Sequence, residues 1–387
     1  MAATKRSVSP RKASQQTIPS SLPDFPYRLA ADKLLAWFRP EARPMPWREL
    51  KADGTPHSAY SIWISESMLQ QTQVATVIPY WKRWMERWPD AAALAQATEQ
   101  EVMKMWEGLG YYNRARNLLK AAQAIVTRFG GKFPTEHSEL LTLPGIGPYT
   151  AGAICSIAFN QPRPIVDGNV VRVLCRLLTI TFEQIPSELK SRDLLWRIST
   201  ELVCRAAESD HPRACSYFNQ AMMDLGATVC TPQNPSCLLC PLNAMCKARA
   251  EGSQSLYPCK KNLPRTVRRE DIAVFVRDEQ GRVLIERRSG ERRNQGFWQM
   301  PLAEDTDHEK AIVYFRKKHI RLKEKQLTQL KHAITKFQIT VKLYPGQTDA
   351  KFKEKKDLRF VTAEELEQLP VTASHSKLLR FLQKKGL

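Results

Sequence analysis

No run of 18 apolar residues occurs anywhere in this 387-residue chain, so nothing in it reads as a transmembrane helix. No apolar segment follows the first residues either, and the sequence is read as carrying no secretory signal. Internal repeats are absent, and acids are scarce: 39 Asp and Glu stand against 59 Lys and Arg, a net charge of +20. Such an excess points to an anionic partner, most simply nucleic acid, whose phosphates exchange condensed counterions for basic side chains. The alternative is a generally basic, solvated surface. Nine cysteines in a chain read as intracellular argue for thiols or a metal site rather than disulfides. What the chain does have is length for two or three domains, and 43% apolar residues with 9 Trp to fill their cores.

Residues 1–25 are rich in Ser, Pro, Lys and Arg, with Asp24 the first acid, and are expected to form a disordered basic tail. From 26 to 250 the apolar spacing is helical nearly throughout, including one long stretch, SIWISESMLQQTQVATVIPYWKRWMERW. Residues 251–268 lose the periodicity and read as a linker. From 269 to 387 the pattern changes: Asp271–Arg277 and Arg282–Arg287 alternate around the turn DEQG as a β-hairpin would. HEKAIVYFRKKHI then reads as helix, KFQITVKLY as strand, and AEELEQL and HSKLLRFLQKK as helices, a separate α+β domain.

Three stretches carry chemistry. In WISESMLQQTQV (63–74), with Ser65 near the helix start, Glu66 has Ile62, Trp63 and Leu69 as helical neighbours. It is either a snorkelling surface residue or a carboxyl in a low-dielectric place, raised from about 4.3 towards neutrality as a general acid needs. Cys230, Cys237, Cys240 and Cys246 form C-x6-C-x2-C-x5-C, four thiols that can surround one soft metal centre, an iron–sulfur cluster or zinc. The uneven spacing is not that of a zinc ribbon. In LPGIGPYTA (143–151), Gly145 and Gly147 sit in a turn whose amides can hold a phosphate, with Pro148 and Thr150 suited to the next helix start. The other reading is an ordinary helix–helix connection. Asp167, in IVDGNV, reads in isolation as a turn residue.

Taken in order, the cysteine spacing, the LPGxGxxTA element and the following Asp match the endonuclease III superfamily of helix-hairpin-helix DNA glycosylases. SESMLQQTQVATVIPY, GLGYYNRARNL (108–118), VDGNVVRVLCR (166–176) and FNQAMMDLGATVC (218–230) closely resemble the MutY family of adenine DNA glycosylases. The resemblance is strong over about 26–250 and weak beyond. It implies a mainly α glycosylase domain with a structural [4Fe–4S] cluster on the four cysteines, and a C-terminal Nudix-like α+β domain. The basic residues Lys247 and Arg249 beside the cysteines would approach DNA. Strand-cutting relatives place Lys where this chain has Tyr149, and Tyr cannot form an imine, which implies a monofunctional enzyme.

The expected substrate is double-stranded DNA with adenine opposite 8-oxoguanine or guanine, bound by a monomer; a bacterial source would place it in the cytoplasm with the nucleoid. The base must be extruded, with Gln70, Gln71 and Tyr111 as wedge and stacking groups. Protonation at N7 lets adenine leave neutral, a task for Glu66; an oxocarbenium-like sugar then remains, which ionised Asp167 would stabilise, with Tyr149 helping. The resemblance adds Trp47, Arg48, Thr72, Leu109, Asn169 and Gln220 to the substrate pocket. The C-terminal domain departs from its family twice. The helix after GFWQMPL lacks the acid cluster that a Nudix hydrolase uses to bind magnesium, so no diphosphatase is expected. The loop that usually reads His-x-Phe-Ser-His and inspects the opposite base is here His332-Ala333-Ile334-Thr335-Lys336. Two rival readings remain at this point, a thymine or uracil mismatch glycosylase and a non-catalytic iron–sulfur DNA-binding module.

Overall fold

The structure, a computed structural model, describes residues 21–49, 57–181, 188–258, 266–290, 294–334 and 336–386. Most of the stretch expected to be a basic tail, the middle of the expected linker, and Thr335 therefore lie outside the described residues. In chain order come α1 (Tyr27–Glu41), α2 (Ala59–Leu69), α3 (Val74–Arg87), α4 (Ala91–Ala95), α5 (Glu99–Met105) and α6 (Asn113–Phe129). They are followed by α7 (His137–Leu140), α8 (Pro148–Phe159), α9 (Gly168–Leu178), α10 (Glu188–Ala207), α11 (Ala214–Asp224) and α12 (Lys247–Ala250). No helix among the described residues is long and apolar enough to cross a membrane. The chain folds as two compact units that interleave along the sequence, Met1–Pro44 with Pro148–Lys260 and Met45–Gly147 with Lys261–Leu387.

In the first unit α1 packs on α10 and α11, and α11 on α8. The buried residues of α1, Ala30, Ala31, Leu34, Leu35 and Phe38, recur at the spacing of a single apolar stripe. Phe38 meets Tyr217 edge-on at 5.4 Å. Helix α8 is instead buried all round from Thr150 to Ile157, a stretch of apolar and small side chains with no charge. Its Gly152 is there for contact: a Cβ would lie 2.1 Å from the Pro164 carbonyl oxygen.

The second unit holds α2–α7 around a tryptophan core. Trp84 lies edge-on to Trp88 (4.9 Å) and Trp106 (5.6 Å). Every indole needs a partner for its N–H when buried. Trp84 donates to the Tyr60 hydroxyl (3.1 Å), which donates to the Trp88 carbonyl (2.9 Å), and Trp81 donates to the Ser61 carbonyl (3.0 Å). The same unit contains the C-terminal strands β1 (Val267–Phe275), β2 (Val283–Arg287), β3 (Trp298–Gln299) and β4 (Leu302–Ala303), then α13 (His308–Arg316). After these come β5 (Ile320–Leu322), β6 (Thr328–Ile334), β7 (Phe337–Thr348), β8 (Leu358–Val361), α14 (Ala363–Gln368) and α15 (Ala373–Lys384). One sheet runs β4-β1-β7-β5 with β6 also on β7, and a second runs β3-β2-β8. Strands β1 and β7 are parallel, Val267 opposite Phe337 through Phe275 opposite Pro345.

The expected hairpin around DEQG is only partly realised. Its turn closes, with the Asp278 amide on the Arg282 carbonyl and Leu284 on Val276, both at 3.0 Å. Beyond it the strands part into different sheets. Asp271–Phe275 are all buried, so β1 needs cover on both faces and takes a central place between β4 and β7, while β2 joins β3 and β8. The helices expected near 308, 363 and 375 and the strand near 337 form.

Because the Pro164 carbonyl is backbone and cannot rotate away, Gly152→Ala forces α8 to shift. We expect a loss of about 1–3 kcal/mol, seen as a lowered melting temperature in thermal unfolding of the full chain. A melting temperature equal to that of the unaltered chain would contradict the contact.

Candidate functional site

The long helix expected across 61–88 breaks at Gln70–Gln73, giving α2 and α3. Helix α2 starts at Ser58, whose hydroxyl accepts from the Ser61 amide at 3.3 Å, so Ser65 is interior rather than near the start. Ala59 to Met68 are all buried. Glu66 is 5% exposed, which settles its two sequence readings against the solvated one.

After Leu69 the chain turns. Gln71, exposed, adopts φ 58°, and Thr72 donates its hydroxyl to the Gln70 carbonyl at 3.4 Å. A second irregular segment, Gly108-Leu109-Gly110-Tyr111, has φ 99°, 70° and 49° at Gly108, Gly110 and Tyr111. At Gly108 the Tyr80 hydroxyl would lie 2.5 Å from a Cβ, so neither the conformation nor the space admits a side chain. Leu109 is buried and Tyr111 is 53% exposed. Both segments are joined to Arg114, in the first turn of α6. Its Nη1 donates to the carbonyls of Ser67 (2.7 Å), Met68 (3.1 Å) and Gln70 (2.7 Å), its Nη2 to those of Leu109 (3.2 Å) and Gly110 (3.3 Å). Desolvation lowers the Arg114 guanidinium to about 10.

In the same unit, of the two glycines expected to form a phosphate nest, Gly145 takes φ 78°, and a Cβ there would lie 2.6 Å from that of Asn117. A Cβ at Gly147 would meet no atom within 4 Å. The Ile146 amide is occupied by the Leu143 carbonyl at 3.1 Å. Trp47 is buried edge-on against Trp81 at 5.7 Å, and the Arg48 amide closes a turn onto Met45 at 2.8 Å. His332–Ile334 end β6 and Lys336 precedes β7, with Ile334 paired with Phe337. Ile334 is partly buried and packs on the C-terminal core; Lys336 is exposed, its Nζ 5.4 Å from the centre of the Phe337 ring. Burial lowers the pKa of His332.

In the first unit, Asp167 caps α9: Oδ1 accepts from the Val170 amide at 2.7 Å, and Oδ2 from the Asn169 side chain at 3.2 Å. Burial holds its carboxyl above the ordinary aspartate value, against the pull of the Val170 and Asn169 amides, the Asn169 side chain and Arg172. Tyr149, at the second position of α8, donates its hydroxyl to the Met223 sulfur at 3.2 Å. Gln220 is buried and donates to the Ser216 carbonyl and hydroxyl at 3.2 and 3.0 Å.

Arg172 links this cap to the cysteine loop. It donates to Asn169 Oδ1 (2.9 Å) and to the carbonyls of Gly226 (2.6 Å) and Cys230 (2.8 Å). One turn on, Arg176 is 3% exposed; it donates to the carbonyls of Thr231, Pro232, Gln254 and Tyr257 and, at 3.4 Å, to the Cys230 sulfur. Gln254 Nε2 donates to the Cys237 sulfur at 3.7 Å. Cys230, Cys237, Cys240 and Cys246 line one cavity together with Arg176, Arg249 and Gln254. Burial raises the Cys246 thiol and pushes that of Cys240 up to about 11. Among the described residues no three Cys, His, Asp or Glu side chains converge on a single ion position.

Sequence reasoning passed over Arg114, Arg172 and Arg176, which it met as part of the positive charge. Each occurs within a stretch that carried the family resemblance, and that was the only signal available.

Residues 64–199 match the family described as HhH-GPD superfamily base excision DNA repair protein, and residues 272–381 match the NUDIX domain. The chain is 35% identical over 311 residues to the adenine DNA glycosylase of Buchnera aphidicola subsp. Schizaphis graminum, covering 80% of this chain and 84% of that protein. It is 36% identical to that of Buchnera aphidicola subsp. Baizongia pistaciae, covering 68% of this chain and 70% of that one. The Mus musculus adenine DNA glycosylase is 46% identical over 235 residues, 58% of this chain. The chain spans only 44% of that protein's length, and 46% and 39% of its Rattus norvegicus and Homo sapiens counterparts.

Proposed function

We propose that this chain, which belongs to the adenine DNA glycosylase family, is a monofunctional glycosylase that extrudes and excises adenine mispaired with 8-oxoguanine or guanine in double-stranded DNA. It would act as a monomer, on nucleoid DNA where the source is bacterial. The observation that carries the reading is the burial of Glu66 on a helix otherwise made of apolar and small side chains. Burial disfavours the charged form of a carboxyl, the condition under which it can donate a proton near neutral pH. Glu66 protonates adenine at N7. The glycosidic bond then breaks with its electron pair leaving on the base, and the sugar becomes oxocarbenium-like. Asp167 stabilises that cation, its position fixed by the Val170 amide and the Asn169 side chain. Tyr149, with no amine to form an imine, supports glycosylase without strand cleavage. Gln70, Gln71 and Tyr111 enter the duplex. Thr72, Leu109, Asn169, Gln220, Trp47 and Arg48 are assigned to the nucleotide pocket on resemblance, and Gly145 and Gly147 to a DNA phosphate.

The four cysteines fit a [4Fe–4S] cluster. They line one cavity with Arg176, Arg249 and Gln254, and four thiols on one cavity are the donor set that would hold such a cluster. When bound, the cluster supplies fixed loop structure rather than chemistry, and Arg176 orients the loop beneath Cys230. The C-terminal domain is assigned to the strand opposite adenine. Ile334 packs against the core, and the exposed Lys336 is offered to DNA as a point charge.

Three measurements test this reading. Glu66→Gln keeps the shape of the side chain but has no carboxyl proton; it should slow single-turnover excision by more than about a thousandfold while mismatch binding stays within a few-fold. Excision near the unaltered rate would remove Glu66 from the role of acid.

Asp167 acts ionised and Glu66 protonated, so activity should fall at both ends of the pH range. The acid limb reports Asp167. Since burial raises that carboxyl, the limb should lie above the ordinary aspartate value of about 3.9 and vanish with the residual activity of Asp167→Asn.

Anaerobically purified protein should contain about four iron atoms per chain and absorb as a brown iron–sulfur protein. Cys237→Ser should weaken DNA binding more than the chemical step. Zinc in place of iron would overturn the cluster assignment.

A further inference from the structure

Arg114 is a cation taken out of water whose partners are carbonyl oxygens and aromatic faces. Its guanidinium carbon lies 5.3 Å from the Trp106 ring centre and 5.5 Å from that of Tyr111, while its edges meet five carbonyls. Nε is buried without a partner. Such a group is expensive to bury, and a helix terminus is commonly closed more simply by a glycine in the left-handed conformation. Here α2 ends without one. Ser67 and Met68 belong to the last turn of α2, where carbonyls have no intrahelical donor, and Arg114 caps them in its place. The same fork then holds Gln70, Leu109 and Gly110, whose neighbours Gln71 and Tyr111 are both in left-handed backbone that side chains rarely adopt.

We propose that Arg114 is a positioning residue for base extrusion: one guanidinium presets the strained segments carrying Gln71 and Tyr111, and lays its plane beside the exposed Tyr111 ring, so that both enter the duplex already ordered. This rests on the reading of Gln71 and Tyr111 as the groups that enter DNA. Binding then spends little on ordering two loops at once, because the cost was met in folding. Lysine does not replace arginine here. It has one nitrogen, cannot reach five carbonyls in two directions, and has no plane to set against two rings.

The test is a cycle in single-turnover excision from adenine–8-oxoguanine duplexes, with extrusion followed separately by fluorescence of 2-aminopurine at the adenine position. Arg114→Lys should slow excision by about thirtyfold or more, with extrusion slowed to match. In a chain that already carries Gln71→Ala and Tyr111→Ala, the same change should cost less than about threefold, because the residues it acts through are gone. Equal penalties in both backgrounds, or extrusion at the unaltered rate, overturn the proposal. Unaltered protein that extrudes the base but leaves adenine attached overturns the glycosylase reading instead, and the extrusion arm still decides on Arg114. Should Arg114→Lys fail to fold, Arg114→Gln, which removes the buried charge and keeps two N–H donors, is carried through the same cycle.

Discussion

Buried backbone that leaves regular structure must still have its carbonyl oxygens hydrogen-bonded, and in this protein three arginine forks are prominent among the donors. Arg114 serves the end of α2 and the Gly108–Tyr111 turn. Arg172 serves the π-helical turn at Leu225–Val229 and the first cysteine; Arg176 serves the start of the cysteine loop and the chain beyond its end. The planar group with five donors is what makes this work, since one residue can answer carbonyls that point different ways. Helices α6 and α9 are regular; Arg114 sits in the first turn of α6, Arg172 in the middle of α9 and Arg176 in its last turn, and each fork reaches an irregular neighbour. Glu66, Gln70, Gln71 and Tyr111 lie on or beside the segments that Arg114 holds, and Asp167 lies beside the Asn169 side chain that Arg172 holds.

This changes what the net charge means. An excess of 20 positive charges reads as a footprint for phosphate, and exposed side chains such as Lys336 are the part of it that meets solvent. Arg176, at 3% exposure, contributes to the count and nothing to the surface. Composition cannot separate the two populations. The structural arginines have carbonyls for partners, and carbonyls leave no mark in a sequence.

The readable parts of the chain were those in which side-chain identity alone carries the information. Helices α1, α2 and α8 and the C-terminal helices follow from apolar spacing, whereas the all-round burial of α2 and α8 does not. A carboxyl in the middle of α2 was conspicuous for the same reason. The break at Gln70–Gln73 was not visible, because Gln, Thr and Gln are acceptable in a helix and the agent that ends it, Arg114, is some forty residues downstream. The hairpin around DEQG misled because alternation describes each strand and not its neighbour; burial of both faces of β1 decided that. At the β6–β7 turn the sequence showed which residue replaces the aromatic, but only the register, Ile334 opposite Phe337, shows that its side chain turns towards the core.

Helix α1 packs on α10 and α11, which follow it by well over a hundred residues. In synthesis the consequence is a waiting period. At roughly 5–20 residues per second, about 10–30 s pass between the emergence of α1 and that of its partners. Throughout that interval its stripe of Ala30, Leu34, Leu35 and Phe38 has no native surface to meet. Everything from α2 to α7 can condense first, because those helices find one another locally, and low-separation contacts form fastest. Helix α1 is therefore placed later than the helices that follow it directly, and its apolar stripe stays open to chaperones and misassembly until α10 and α11 arrive.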